Sequence, residues 1–334
     1  MRYYNDTITL YKEFSIRNKH QVTLNTTGWK HFSHKDKSEE HYFIHHKDIT
    51  CRYYPDRYGK TQFWITFSIP KIINGSNLFP VDLASSDLLF DKINNILTEI
   101  VTFSTPTDIA TWEVSRTDLF LLHPIPPEQR ESYLSAYSRL SLGSYVPYNH
   151  ENTFYLNSIL KKHKDAGTVV RIYPKLQEIQ DRETAPKAVE DDFERYMILQ
   201  DELVDLIRIE FQFRRRTLRY FFKNSKTVIF TDIMNTDFQK ERINRMIQRL
   251  NLNLNIINKK DLFQLLPAIF KRKETLQRAE SYIKLINKER NVYPKTVKAH
   301  FTANQIGYIR KKLKEHNLHS IVSENNDLMP VELL

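Results

Sequence analysis

The stretch Leu206-Ile207-Arg208-Ile209-Glu210-Phe211-Gln212-Phe213-Arg214 constrains the fold more than any other. Ile207, Ile209, Phe211 and Phe213 are apolar, and the residues between them, Arg208, Glu210, Gln212 and Arg214, are charged or polar. A repeat of two is the side-chain period of a β-strand. The stretch therefore predicts a strand with one apolar and one polar face. Its backbone donors and acceptors need partners on both edges, so the chain must supply a sheet.

Other segments offer those partners. Thr7 to Tyr11 and Trp112 to Leu122 read as strands. Ile49 to Tyr54 and Gln62 to Ile69 flank a turn at Pro55 to Gly59 and read as a hairpin. In its second arm Phe63, Ile65, Phe67 and Ile69 share one face, and Gln62, Trp64, Thr66 and Ser68 the other. Phe154 to Leu156 can pair with Val169 to Tyr173 across the connection Asn157 to Gly167.

Leu83 to Phe103 has helical spacing through Leu88, Leu89, Ile93, Ile96, Leu97, Ile100 and Val101, with Asp82 or Ser85 as caps. Pro126 to Leu140 reads as a helix opened by prolines, Asp191 to Asp205 as an amphipathic helix and Asp181 to Glu190 as a loop. Beyond about Thr231 the spacing is helical: Asp237 to Leu250, Lys260 to Phe270, Lys273 to Lys288 and Thr302 to His316. The expected fold class is α+β. An antiparallel sheet carries helices on one face and the site on the other, and a smaller α-rich domain follows. The β-rich pattern gives way to a helical, basic one near residue 230, which suggests domains 1–229 and 230–334.

Fifty Lys and Arg oppose forty Asp and Glu, a net charge of +10 that favours a polyanionic partner, nucleic acid first. Six glycines and no phosphate-cradling loop argue against nucleotide chemistry. No uninterrupted apolar run of ~18 residues suggests a membrane span. The segment Met1 to Asp6 has no apolar signal core, and the single cysteine, Cys51, suits a reducing cytosol.

The polar faces of three strands collect chemistry. Arg208, Glu210, Gln212 and Arg214 share one face, Arg116 and Asp118 another, and Arg171, Tyr173 and Lys175 a third. Two carboxylates on neighbouring strands can hold a hard divalent cation on a phosphate oxygen. Nearby cations favour ionisation of a tyrosine whose ordinary pKa is ~10, which makes it a nucleophile. Each element also has a plainer reading: Tyr173 as a packing residue, Asp118 with Arg116 as a surface pair, Glu210 as part of a solvated charge ladder. Glu113, Gln212 and Glu178 are candidates for a third ligand, whereas the adjacent His45 and His46 would face opposite sides of a strand. Arg214, Arg215, Arg216, Arg219 and Lys223 interleave with Tyr220, Phe221 and Phe222, a pattern suited to a single nucleic-acid strand or to a basic turn over the core.

The chain resembles the rolling-circle replication initiators of filamentous phages, the gene II type, and more distantly plasmid initiators of the replication-initiation-factor class. The likeness rests, in order, on Gln62 to Phe79, Ser115 to Asp118, Tyr173-x-Lys175-x-x-Glu178, Arg208 to Arg216, and the tail from about Tyr282 with Tyr308-Ile309-Arg310 and Val331-Glu332-Leu333. It implies a site-specific, strand-transferring DNA endonuclease. Tyr173 would be the nucleophile that nicks a double-stranded origin and stays joined to the 5′ end. Lys175 would support the reacting oxygens, and Asp118 and Glu210 would hold Mg²⁺ or Mn²⁺. Arg116, Arg171, Arg208, Arg214, Arg215, Arg216, Arg219 and Lys223 would contact the double-stranded origin and the displaced single strand. The resemblance further implies a bacterial cytosol, a host helicase and a host polymerase. A DNA-binding regulator without catalysis, or a relaxase or transposase of the same chemistry, are the alternatives. Pro174, between the tyrosine and the lysine, leaves open how Tyr173 is presented.

Overall fold

The computed structural model describes residues 2–14, 22–33, 40–140, 145–151, 153–158, 167–175, 205–223, 225–288, 294–324 and 326–334. Glu178, the loop expected over Asp181 to Glu190 and the helix expected over Asp191 to Asp205 lie outside these residues, Asp205 excepted.

The fold is α+β, with a large antiparallel sheet. In chain order the first elements are β1 (Arg2–Tyr3), β2 (Asn5–Phe14), β3 (Val22–Leu24), β4 (Lys30–Ser33) and β5 (Glu40–His46). The hairpin strands β6 (Ile49–Arg57) and β7 (Lys60–Ser68) follow, then α1 (Ile69–Asn74), β8 (Val81–Asp82), α2 (Asp87–Ile100) and β9 (Val101–Phe103). Next come β10 (Glu113–Ile125), α3 (Arg130–Tyr137), β11 (Tyr145–His150), β12 (Thr153–Ser158), β13 (Thr168–Pro174) and β14 (Asp205–Arg214). The remaining elements are helical: α4 (Arg215–Phe221), α5 (Phe230–Ile233), α6 (Thr236–Leu250), α7 (Lys259–Ile269), α8 (Lys273–Lys288), α9 (Pro294–His300) and α10 (Ala303–Glu315). No helix of the described residues is long and apolar enough to cross a membrane.

The chain forms two compact units, and neither is one continuous stretch. The first comprises Met1–Phe120, His163–Gly167 and Gln212–Lys240; the second comprises Leu121–Lys162, Thr168–Phe211 and Glu241–Leu334. The chain thus passes between units inside β10, inside β14 and inside α6.

In the first unit the strands of the main sheet run in the order β10, β2, β7, β6, β5, β4. Alternation fixes the buried face. Ile8 pairs with Phe67 and Leu10 with Ile65, and Ile65 and Phe67 pair in turn with Cys51 and Ile49. All of these side chains are buried. Helix α2 contributes Leu89, Ile93, Leu97 and Ile100 to the unit's core, one stripe at helical spacing. Ser85 Oγ accepts the Asp87 N–H at 3.0 Å at its start. The helix stops at Ile100 because Val101 to Phe103 pair with β3 instead. Phe63, Phe103 and Trp112 meet edge to face, with ring centroids 5.4 to 6.0 Å apart.

The hairpin is longer than the expected turn at Pro55 to Gly59. Pro55 and Asp56 lie in a register shift of β6, where a missing N–H costs nothing. The turn itself is Tyr58 (φ 55°) and Gly59 (φ 76°), both left-handed as in a tight two-residue hairpin. Asp56 Oδ1 accepts the Gly59 N–H at 3.0 Å.

In the second unit the strand order is β11, β12, β13, β14. The expected pairing of the tyrosine strand is present, with Phe154 opposite Ile172 and Asn157 opposite Val169. The C-terminal helices close around Leu262, Leu266, Phe270, Tyr282, Ile283 and Ile309. Helix α10 begins with a capping box: Thr302 Oγ1 accepts the Gln305 N–H, and the Gln305 side chain accepts that of Thr302.

Candidate functional site

The structure overturns one expectation about β14. Its polar face was expected to be open; instead every residue from Asp205 to Phe213 is buried, and only Arg214 is half-buried. Burying a charged face requires that each charge find a partner. The candidate residues are such partners.

In the second unit Tyr173, 8% exposed, donates its hydroxyl proton to Glu210 Oε1 at 2.6 Å. Arg171 Nη1 reaches Glu210 Oε2 at 3.2 Å, and Arg208 Nε lies 2.8 Å from Oε1. Burial alone would raise the Glu210 carboxyl. Arg208 first, then the Tyr173 hydrogen bond, Arg171 and Lys175 outweigh it and hold the group below its ordinary 4.5. Arg171 and Tyr173 meet Glu210 because they are two apart on β13 and share a face, as Arg208 and Glu210 do on β14. Lys175 has no accessible surface. Neither has Arg208, which in this conformation stands beside Glu210 as an interior counter-ion.

In the first unit Asp118 is 1% exposed and is clasped by both arms of Arg116: Nε to Oδ1 at 2.8 Å and Nη2 to Oδ2. Gln212 Nε2 adds a contact to Asp118 Oδ2 at 3.5 Å. Arg215 and Arg219 both bond Glu113 Oε1 at 2.7 Å, and Arg215 lies 4.6 Å from the Tyr11 ring centroid. Arg216 and Lys223 are exposed. His46 bonds Glu99 at 2.7 Å and His45 bonds Thr50 at 3.1 Å.

These contacts bear on a divalent cation. Guanidinium groups engage both Asp118 and Glu210, and Glu113 is likewise taken by two arginines. Among the described residues no three His, Cys, Asp or Glu side chains gather as a metal centre.

A second feature escaped the sequence. A groove of about 500 Å³ lies on the polar face of the first unit's sheet. Arg52, Arg57, Arg116 and Arg214 line it, with the hydroxyls of Thr9, Thr50, Thr66 and Ser115. Its signal was present in part, since Trp64 and Thr66 fall on the polar phase of β7. Its remaining members become neighbours only through strand register.

Comparison with known protein families, with curated proteins and with solved structures found no match for this chain.

Proposed function

We propose that this chain is a DNA strand transferase that initiates rolling-circle replication, with Tyr173 as its nucleophile. The observation that carries the reading is the 2.6 Å hydrogen bond from the Tyr173 hydroxyl to Glu210, set among Arg171, Arg208 and Lys175. Glu210 is placed to take the phenolic proton as the tyrosine oxygen attacks phosphorus. A bond then forms between that oxygen and the 5′ phosphate, and the 3′ oxygen leaves with the bonding pair and is protonated to a hydroxyl. Arg171, the half-buried cation of the cluster, lies where it can meet the charge that builds on the phosphate oxygens. Because the phosphotyrosine keeps the energy of the phosphodiester, the 3′ hydroxyl can reverse the step.

The test is a supercoiled plasmid carrying the coding region and its flanks, incubated with the protein and Mg²⁺. The expected products are relaxed circles and a covalent protein–DNA adduct, both lost in Tyr173→Phe. Nicking by Tyr173→Phe would end the reading. A second reading, a DNA-binding regulator without catalysis, draws support from the 8% exposure of Tyr173 and the saturation of Glu210 by cations. Tight binding without an adduct would favour it.

A further inference from the structure

The excess charge of this chain sits in one stretch. Residues 259–315 hold fifteen Lys and Arg against five Asp and Glu, an excess of ten. The net charge of the whole chain is also +10, so everything outside that stretch balances, thirty-five against thirty-five. A polyanion is drawn to the C-terminal helices before any other surface.

The packing of those helices opens a cleft. Helix α8 buries Ala279, Tyr282, Ile283 and Ile286, and α10 buries Ile309 and Leu313. Beside this core, at the end of α7, lies a cavity of about 730 Å³. Thr275 and Arg278 line it from α8, three residues apart; Asn304, Tyr308 and Lys312 line it from α10, four apart. Each set therefore keeps to one side of its helix. Arg310 Nε donates to the Tyr282 hydroxyl at 2.8 Å and ties the two helices together. Lys271 and Arg272, in the turn before α8, complete the lining.

The lining is cationic. It includes Lys271, Arg272, Arg278 and Lys312 and no Asp or Glu. Lys312 is paired with Glu315 at 2.6 Å. Among the described residues no carboxylate pairs with Lys271, Arg272 or Arg278, and Glu274, one turn before Arg278, does not close on it. Two guanidinium groups and an ammonium suit phosphate oxygens, which they meet through charge-assisted hydrogen bonds. The amides of Asn304 and Gln305 add neutral donors; only the oxygen of Gln305 is occupied, by the Thr302 N–H. A second cleft against α8, of about 520 Å³, is lined by Lys259, Lys284 and Lys288 but offers no guanidinium. Its Lys284 already lies 5.5 Å from the Phe263 ring centroid.

Sites for single strands combine such cations with rings on which successive bases stack. In the first cleft Tyr308 is the one lining residue with an aromatic ring. Exposed Lys273, Lys311 and Lys314, next to Arg272 and Lys312 in the chain, carry the charge past the lining. Charge spread beyond one cleft suits a duplex, which bears a phosphate every ~1.7 Å along its axis.

We infer that the cleft between α8 and α10 seats a phosphate backbone of double-stranded DNA, with Lys271, Arg272 and Arg278 on its phosphates. The choice of DNA rests on the strand-transfer reading. The contact is to the backbone, so it holds the duplex without reading its sequence.

The test is fluorescence anisotropy of the full chain with a labelled blunt duplex of about twenty base pairs, from about 50 to 200 mM salt. Each phosphate contact to B-form DNA contributes about 0.9 to the slope of log affinity against log salt. Lys271→Gln/Arg272→Gln, at exposed positions, should flatten the slope by about 1.8, and adding Arg278→Gln should bring the loss to about 2.7. Arg272→Lys keeps the charge and should keep the wild-type slope. Lys284→Gln/Lys288→Gln takes the same charge from the second cleft and should leave the slope unchanged. An unchanged slope in Lys271→Gln/Arg272→Gln overturns the inference. Equal flattening by the Lys284 and Lys288 pair overturns it too, because the attraction is then diffuse. So does an oligo(dT) of the same length that competes as well as unlabelled duplex. Tyr173→Phe separates the two proposals. If it still forms the adduct while the Lys271 and Arg272 pair flattens the slope, the nucleophile is wrong and the cleft stands. If the adduct is lost but that pair binds as the wild type does, the cleft alone fails.

Discussion

His319 should make the second unit sensitive to mild acid. The ring is 5% exposed. Its Nδ1 accepts the Ile321 N–H at 2.8 Å, and its Nε2 faces the Leu250 carbonyl oxygen at 3.3 Å. Both contacts are satisfied by one neutral tautomer, with the proton on Nε2. A second proton on Nδ1 would point at an N–H donor and charge a buried ring. Burial is the main cause that pushes the pKa down to about 4; Arg310 adds to it and the Leu250 carbonyl opposes it. The unfolded chain takes up the proton near pH 6.5 and the folded one only near 4, so stability is whole above 6.5 and falls as the pH drops between those values. At pH 5 the unfolded state gains about 2 kcal/mol from this residue, rising to about 3 kcal/mol below pH 4. The assay is urea unfolding at pH 7.5 and pH 5 of the wild type and of His319→Asn, whose amide oxygen stands in for Nδ1. His123, also lowered to about 4, contributes equally to both proteins and cancels. The wild type should lose about 2 kcal/mol more than the variant over this interval. Equal losses, or a His319 ring that titrates near 6.5 by NMR, would refute the tautomer assignment.

Other expectations concern single groups. Glu210 should stay ionised below the usual carboxylate range, so stability drawn from its ion pairs should persist to below pH 4.5 and disappear only as the pH falls through its lowered folded value; acid titration followed by near-ultraviolet circular dichroism checks this. Leu266→Ala, in the core of the C-terminal helices, should cost about 2–5 kcal/mol in urea unfolding. Thr302→Ala removes half of a capping box and should cost about 1 kcal/mol in the same assay. Cys51, buried and with its thiol pushed up by that burial, should react with a thiol reagent only after unfolding, as timed by colorimetric titration.

The sequence revealed the strands whose alternation is clean. β2, β7, β10 and β14 each carry a buried apolar face; the spans of β7, β10 and β14 match the expected ones closely, whereas β2 runs from Asn5 to Phe14, well beyond the expected Thr7 to Tyr11. β4 and β5 escaped because Lys30–Ser33 is exposed throughout and Glu40–His46 carries histidines and tyrosine without a clear apolar phase. Val101 to Phe103 extended the apolar spacing of α2, and only its pairing with β3 makes it a strand. In the candidate site, the shared phase of Arg171 and Tyr173, and of Arg208 and Glu210, was legible because it is local. Their burial was not, because what covers a sheet face is set by distant parts of the chain. The groove is the extreme case. Thr9, Thr50 and Thr66 are unremarkable in sequence and become a row only once three strands are in register.

The two-residue connection at Tyr58 and Gly59 has a consequence for engineering. Along β6 and β7, groove-lining residues are interleaved with interior ones: Thr50 and Arg52 alternate with Cys51, and Trp64 and Thr66 with Ile65. Adding or deleting one amino acid at that connection and sliding one arm by a single step would send Trp64 and Thr66 inward and expose Phe63, Ile65 and Phe67. Groove lining and interior therefore share one frame, and a library that varies loop length there will lose both together.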